Sequence, residues 1–313
     1  MPQQVNVYRE LKMHPGAIVT GALGPLFDTG GTTYYVNNIT GSSTADGLSW
    51  NSAFDEVSTA VTASEASRLV HPGTTTNDYI RNKIVIQGTG TTYDAISALP
   101  SYCDVIGLGA EPFGDGTGIV VLGDATGAAD GAAGSMRGTN IYNMQFVGAG
   151  SFYAMDLAVA YRSKFENCAF GGNASSAACA IAFNVVSASG LVLRGCKTIM
   201  HAAAPVIGWA MSTAGGNWNE CLMEMCHGYG STTGYTNAGY LQNGSVVRAC
   251  VFYGGTTGLS DTSAQTGMAG LAMYVGNYAS GGTTGMTVTN QAKRRALDNW
   301  TCSNVTIAQY SVT

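Results

Sequence analysis

IYNMQF (residues 141–146), FENCAF (165–170), LRGCKT (193–198), WNECLM (218–223) and VRACVF (247–252) are five variations on one short segment. Each reads apolar, two polar or small residues, Cys or Met, one residue, and in most copies a second apolar residue. The central positions are Met144, Cys168, Cys196, Cys221 and Cys250, so the steps are 24, 28, 25 and 29 residues. An imperfect period of this size marks stacked supersecondary units. Within a copy, the Cys position and the residue two further on share a strand face, because side chains alternate along a strand. The apolar residue three before Cys points the same way only if the chain bends in between. The residue just before Cys is Asn143, Asn167, Gly195, Glu220 or Ala249. Asn and Gly tolerate left-handed backbone, so a tight bend is expected there in the first three copies, while Glu220 and Ala249 fit less well. Met144, Cys168, Cys196, Cys221 and Cys250 then form one inward column. Tyr142, Glu166, Arg194, Asn219 and Arg248 form an outward one, with Glu166 and Arg194 placed to pair across adjacent coils.

The composition agrees with a solenoid. Of 313 residues only 11% are charged, 45% are hydrophobic and 43 are glycine. A disordered chain would be richer in charge and poorer in apolar residues. An all-β chain with many tight turns uses glycine in this way. The net charge of −5 gives no basis for nucleic-acid binding, and Lys293-Arg294-Arg295 reads as a solvated face. No apolar run approaches the length of a membrane span, so no membrane insertion is expected. The opening Met1-Pro2-Gln3-Gln4 leads into no apolar signal-peptide core, so synthesis without secretion is expected. The eight cysteines are Cys103, Cys168, Cys179, Cys196, Cys221, Cys226, Cys250 and Cys302. They are expected as free thiols, with the repeat cysteines acting as small hydrophobes. Disulfides come second. Zinc is weaker, because Cys221 and Cys226 have no second pair at ligand spacing. No metal and no cofactor is expected.

Outside the repeat, residues 1–31 break every periodicity with Pro15, Gly16, Gly21, Gly24, Pro25, Gly30 and Gly31. They read either as a loose terminus or as an anchoring arm. Thr33–Val36 is strand-like. Positions 53, 54, 57, 60 and 61 are apolar at helical spacing, with Ser52 placed to cap and Asp55 in the first turn. Such a helix would cover the open end of a solenoid. Strand-like runs follow at 83–87, 104–108 and 118–122, and second strands at 155–161, 180–186, 205–211 and 270–275. Strands are also expected at 283–290 and 303–309, with a helical turn at 293–298. The organisation is an arm over 1–31, a cap over 32–70, coils over 71–280 and a closing cap or association segment over 281–313. At about 27 residues per coil this makes about eight coils and a rod near 40 Å.

Tyr34-Tyr35-Val36-Asn37, a Gly/Ser/Asp loop, Gly47-Leu48-Ser49 and Ala53-Phe54 before an amphipathic helix resemble the opening of pectin-lyase-like right-handed parallel β-helix proteins. Segments such as Asn167-Cys168-Ala169-Phe170 resemble that superfamily's coils, and the likeness spans most of residues 33–280. It implies an all-β, right-handed parallel β-helix. Within the superfamily, an N-terminal arm without a signal peptide resembles bacteriophage spike, fibre and head-decoration proteins. That likeness implies a virion structural protein, a homotrimer, and attachment to other capsid or tail proteins through residues 1–31. A host surface glycan would be a further partner.

The sequence offers few residues for chemistry. Glycoside hydrolysis needs two carboxylates about 5–10 Å apart. Between residues 138 and 290 the acids are Asp156, Glu166, Glu220, Glu224 and Asp261. Glu220 with Glu224, or Glu166 with Glu220, is the best catalytic pair. The bland alternative is solvated surface acids. His14, His71, His201 and His227 are scattered, and no Gly-x-Ser-x-Gly elbow accompanies them. Tyr229, Tyr235, Tyr240 and Tyr253 are available for stacking on sugars, or are ordinary strand residues. The leading expectation is a non-enzymatic virion protein. The alternative is a tailspike that binds or degrades polysaccharide, as a lyase or glycoside hydrolase if it is an enzyme.

Overall fold

A computed structural model describes residues 30–69, 81–114, 118–124, 128–171, 178–199, 204–211, 216–242, 244–262, 272–288, 294–303 and 306–310. Residues 1–29 of the expected 1–31 arm, together with His14, His71 and His201, lie outside them, and the last two, Gly30 and Gly31, begin a strand. The chain winds into a right-handed parallel β-helix with three sides. Sheet one has ten strands and sheets two and three nine each, and the strands follow one another up the stack. In sheet one Ile141, Phe165, Leu193, Met223, Val247, Tyr274 and Ala296 lie in register and all point inward. The long strands Tyr153–Tyr161 and Ile181–Ser189 each form the whole third side of a coil. One coil later that side is divided between Ile207–Met211 and Asn217–Asn219.

Strand β1 (Gly30–Val36) pairs with β2 (Arg81–Gln87) and opens sheet one. The helix α1 (Val57–Leu69) packs on both and covers the core end through Val57, Ala60 and Val61. It starts four residues later than the apolar spacing predicted. Residues 50–52 form a 3-10 turn capped by Ser49, not Ser52, and Phe54 bridges back to Val36 before the helix begins. At the other end, the predicted helical turn over 293–298 is instead the strand Arg294–Leu297, because its residues continue the ladder of sheet one. The coils run on past residue 280. Asn299–Ser303 still stacks in parallel on Tyr278–Gly281, and the antiparallel strand Thr306–Tyr310 then closes sheet two.

The corner between sheets one and two is the predicted bend. Asn143, Asn167, Gly195, Met225, Ala249, Gly276 and Asp298 all have φ between 51° and 61°. The left-handed conformation lets the chain turn in one residue while the flanking side chains stay inward. It costs a non-glycine residue about 1–2 kcal/mol, so the stacking must repay that cost at Met225 and Ala249. The column after the bend is Met144, Cys168, Cys196, Cys226, Cys250, Asn277 and Asn299. Cys221 is therefore not its fourth member. It follows Glu220, which bends the chain at a second corner, between sheets three and one, with Gly138, Arg162, Gly190 and Gly244. Cys221 is still core, 1% exposed, stacked between Leu191 and Ser245.

Both corner columns use small donors for one reason. The thiols of Cys168, Cys196 and Cys250 sit between two acceptors each, the carbonyl two residues back (Glu166, Arg194, Arg248) and, slightly farther, that of Ile141, Phe165 or Met223 one coil below. Asn277 and Asn299 donate in the same way to the carbonyls of Val247 and Tyr274, one coil below. At the second corner Ser245 donates to Trp218. Each such bond ties a corner to the coil below and satisfies a buried polar side chain, which left unpaired would cost about 1–3 kcal/mol. All eight cysteines are free thiols. Aromatic side chains fill the interior, with Phe170 in contact with Phe146, Phe183 and Trp209, and Tyr235 with Phe252 and Tyr274.

Candidate functional site

Two outer faces carry rows of chemically useful side chains. On sheet one the register row is Tyr142, Glu166, Arg194, Glu224 and Arg248. Glu224 stands where Asn219 was expected, since the coil's repeat segment is the one ending in Cys226. Its carboxylate lies between two guanidinia. Arg248 Nε donates to it at 2.8 Å, and Arg194 pairs with its other oxygen. The side chain is 7% exposed. The Arg248 hydrogen bond, helped by Arg194 and opposed by burial, holds Glu224 below the usual carboxylate range. Glu166 takes Lys164 at 2.8 Å rather than Arg194. Glu220 is exposed at the second corner, with φ 51°. The predicted acids are thus not brought together: Glu166 and Glu224 are separated by the Arg194 strand, and Glu220 sits on another edge.

On sheet two the outward residues are aromatic. Tyr229 and Tyr253 lie in register, with ring centroids 5.3 Å apart. Tyr253 meets Tyr278 at 5.8 Å, and Tyr278 is in register with Trp300. Tyr229, Tyr253 and Trp300 are 39%, 36% and 51% exposed. Beside the rings runs a column without side chains, Gly230, Gly254 and Gly281. A Cβ at Gly254 would sit 1.9 Å from the Thr257 carbonyl oxygen, so only glycine fits where sheet two folds over into sheet three. Tyr229, Tyr253 and this floor border a groove of about 500 Å³, completed by Gly255, Ser280, Gly282 and Cys302. Burial and the neighbouring phenols of Tyr278 and Tyr229 push the Tyr253 hydroxyl up, so it stays a neutral donor. His227, two residues before Tyr229 and in the register row of Val251, Tyr278 and Trp300, is pushed down by burial and then by Lys197.

Two of the four predicted stacking tyrosines, Tyr229 and Tyr253, stand in this row. Tyr235 does not: it is fully buried against Phe252, in the core. Tyr240 begins the strand Tyr240–Gln242 of sheet three. Tyr278 and Trp300 were missed. The signal that finds the face is a second repeat, YGSTTG (229–234), YGGTTG (253–258) and SGGTTG (280–285). It marks the turn from sheet two to sheet three in three successive coils, with stacked backbone bonds from Thr256 to Thr232 and from Thr283 to Thr256.

Neither a family model nor a curated protein matches the sequence. Solved structures do match in shape. A pectin methylesterase variant in complex with a hexasaccharide shares 10% identity over 90% of this chain and 92% of that one, with a TM-score of 0.52. A pectin methylesterase from Aspergillus niger shares 11% identity over 90% and 91%, with a TM-score of 0.38. The ORF18 protein of Geobacillus virus E2 shares 10% identity, covers 87% of this chain and 61% of that one, and has a TM-score of 0.39. At 10% identity the likeness to the first of these is one of fold, the pectin-lyase-like parallel β-helix.

Proposed function

We propose that this β-helix is a rigid rod that holds an extended glycan along the aromatic face of sheet two. The observation that carries the reading is an aromatic face beside a glycine floor: the exposed, in-register pair Tyr229 and Tyr253 and, two residues off it along the strands, the pair of half-buried Tyr278 and exposed Trp300. Large aromatic residues lined up in solvent mark interaction surfaces. A ring offers an apolar face for the C–H side of a sugar, and its polar tip offers a hydrogen bond. The rows recur at the coil spacing of about 4.8 Å, which lets successive sugar units meet successive rings. A protein of similar fold holds a hexasaccharide. The acids of sheet one support binding over cleavage, because Glu224 and Glu166 are engaged by Arg194, Arg248 and Lys164. Electrophoresis through gels containing soluble β-glucan, amylose or galactomannan tests this. The protein is retarded by at least one of them, and Tyr253→Ala and Trp300→Ala are not.

The same rod suits a virion subunit, a head fibre, decoration protein or spike, and we propose that setting for it. Ten stacked strands in one sheet give the stiffness such a subunit needs. Attachment to capsid or tail proteins through residues 1–31 and a homotrimeric state belong to this proposal. No helix among the described residues is long and apolar enough to cross a membrane. Truncation of residues 1–31 abolishes attachment to particles if the setting is right and leaves it intact if it is wrong.

A further inference from the structure

The corner between sheets three and one carries a second arrangement that the aromatic row does not use. Arginines and tyrosines alternate along it. Arg68 lies 5.7 Å from the Tyr102 ring centroid, Arg137 lies 5.8 Å from Tyr102 and 5.3 Å from Tyr161, and Arg162 lies 5.2 Å from Tyr161. Arg68 is paired with Glu65. Among the described residues no carboxylate pairs with Arg137 or Arg162. Three cations against one anion leave this corner at about +2 on a chain whose net charge is −5. Two guanidinia on one ring repel each other, and a bound anion relieves that repulsion.

A groove of about 340 Å³ opens beside them, lined by Ser101, Ser135, Met136, Arg137, Val159 and Tyr161. Ser135 is in register with Val159, and Arg137 with Tyr161, so the four face out together from adjacent strands. Val159 is 46% exposed, an apolar floor between hydroxyls and guanidinia. The bend at Gly138 leaves room for the stack, since a Cβ there would meet the Tyr102 ring at 2.6 Å.

We propose that this corner is a separate subsite for an acidic saccharide unit. Arg137 and Arg162 take the oxyanion, in the forked geometry that guanidinium groups offer carboxylate, sulfate and phosphate alike. Ser101 and Ser135 bond to sugar hydroxyls, and Val159 packs on the C–H face. The subsite does not depend on the sheet-two row.

Calorimetric titration of the full chain with a hexameric oligouronate, a sulfated hexasaccharide, a phosphodiester-linked oligosaccharide and a neutral hexasaccharide tests it and identifies the oxyanion. At least one acidic probe binds about tenfold or more tighter than the neutral one, and its affinity falls with added salt. Arg137→Gln and Arg162→Asn each remove about tenfold or more of that affinity. Asn suits the left-handed backbone at 162, and an unchanged melting temperature shows that the fold is kept. Tyr253→Ala leaves acidic binding intact, which separates this subsite from the aromatic row. Arg137→Lys keeps the charge but loses the fork, and binds more weakly than wild type. Equal binding of the neutral probe, variants that bind as wild type, or full displacement by inorganic sulfate at matched concentration would each overturn the proposal.

Discussion

Asn277 takes over, one coil later, the place and the bond of Cys250. Asn277 Nδ2 donates to the carbonyl of Val247 at 2.9 Å, where the Cys250 thiol lies 3.6 Å from that of Met223 and 3.1 Å from that of Arg248. Asn277 also accepts from the Cys250 backbone N–H at 3.0 Å. Asn277→Ala therefore strands the buried Cys250 N–H, removes a bond to the Val247 carbonyl and one to Asn299, and costs about 2–4 kcal/mol. Cys250→Ala loses a weak donor, a weak acceptor of the Cys226 backbone N–H at 3.5 Å and a small volume, about 1–2 kcal/mol. Urea unfolding of the two variants checks the order, and a larger loss at Cys250 contradicts it.

The cysteines make a second prediction. Cys103, Cys179 and Cys221 are each pushed up to about 12 by burial, and burial pushes Cys168 and Cys226 up as well. Cys302 alone is partly exposed. A thiol-reactive disulfide reagent should modify only Cys302 in the native protein and all eight thiols after denaturation.

The bends make a third. Ala249 sits at φ 52° with a side chain that gains nothing from the conformation. Ala249→Gly should stabilise the protein by about 0.5–1 kcal/mol, once the extra freedom of the unfolded chain is set against the relief of strain. Gly195→Ala, at φ 59°, should destabilise it by about 1 kcal/mol. Thermal melts read both signs.

The Glu224 ion pairs carry a pH signature. The folded state holds this carboxyl below its ordinary value of 4.5, so the pairs contribute in full above that value. The contribution is lost as pH falls through the lower folded value. Both arginines are about half exposed and solvent-screened, so Glu224→Gln should cost only about 1–2 kcal/mol at neutral pH. That cost should shrink in strong acid. A cost independent of pH means that packing, not charge, holds the residue.

Much of the fold was legible because a bend forces small or left-handed-tolerant residues into a periodic position. Asn143, Asn167 and Gly195 announce it, and the cysteines after them mark the column. The register slipped at the fourth coil because WNECLM matches the same pattern from the other corner. There Glu220 bends the chain and Trp218 points inward, so two corners built on one rule look alike in sequence. The start of α1 was misplaced because Phe54 is apolar for a strand bridge, not for a helix face. The aromatic face was half legible. Tyr229 and Tyr253 stand out, but Tyr235 has the same composition and opposite burial, and only register separates them. The Gly-Thr-Thr-Gly turns align Tyr229 and Tyr253 with Ser280, so Tyr278 and Trp300, two residues off that row, are found only from the pairing across coils.

The central claim is that a glycan lies on the sheet-two row. Trp300 reports on it directly, being 51% exposed next to Tyr278; Trp209 and Trp218 are fully buried, and Trp50, 38% exposed at the entry cap far from this face, gives a constant background that the Trp300→Phe variant subtracts. The decisive measurement is tryptophan emission and acrylamide quenching during titration with a glycan that retards the protein. The account predicts a blue shift and protection from quenching in the wild type, and neither in Trp300→Phe. Unchanged emission at saturating glycan, or the same shift in Trp300→Phe, would contradict it.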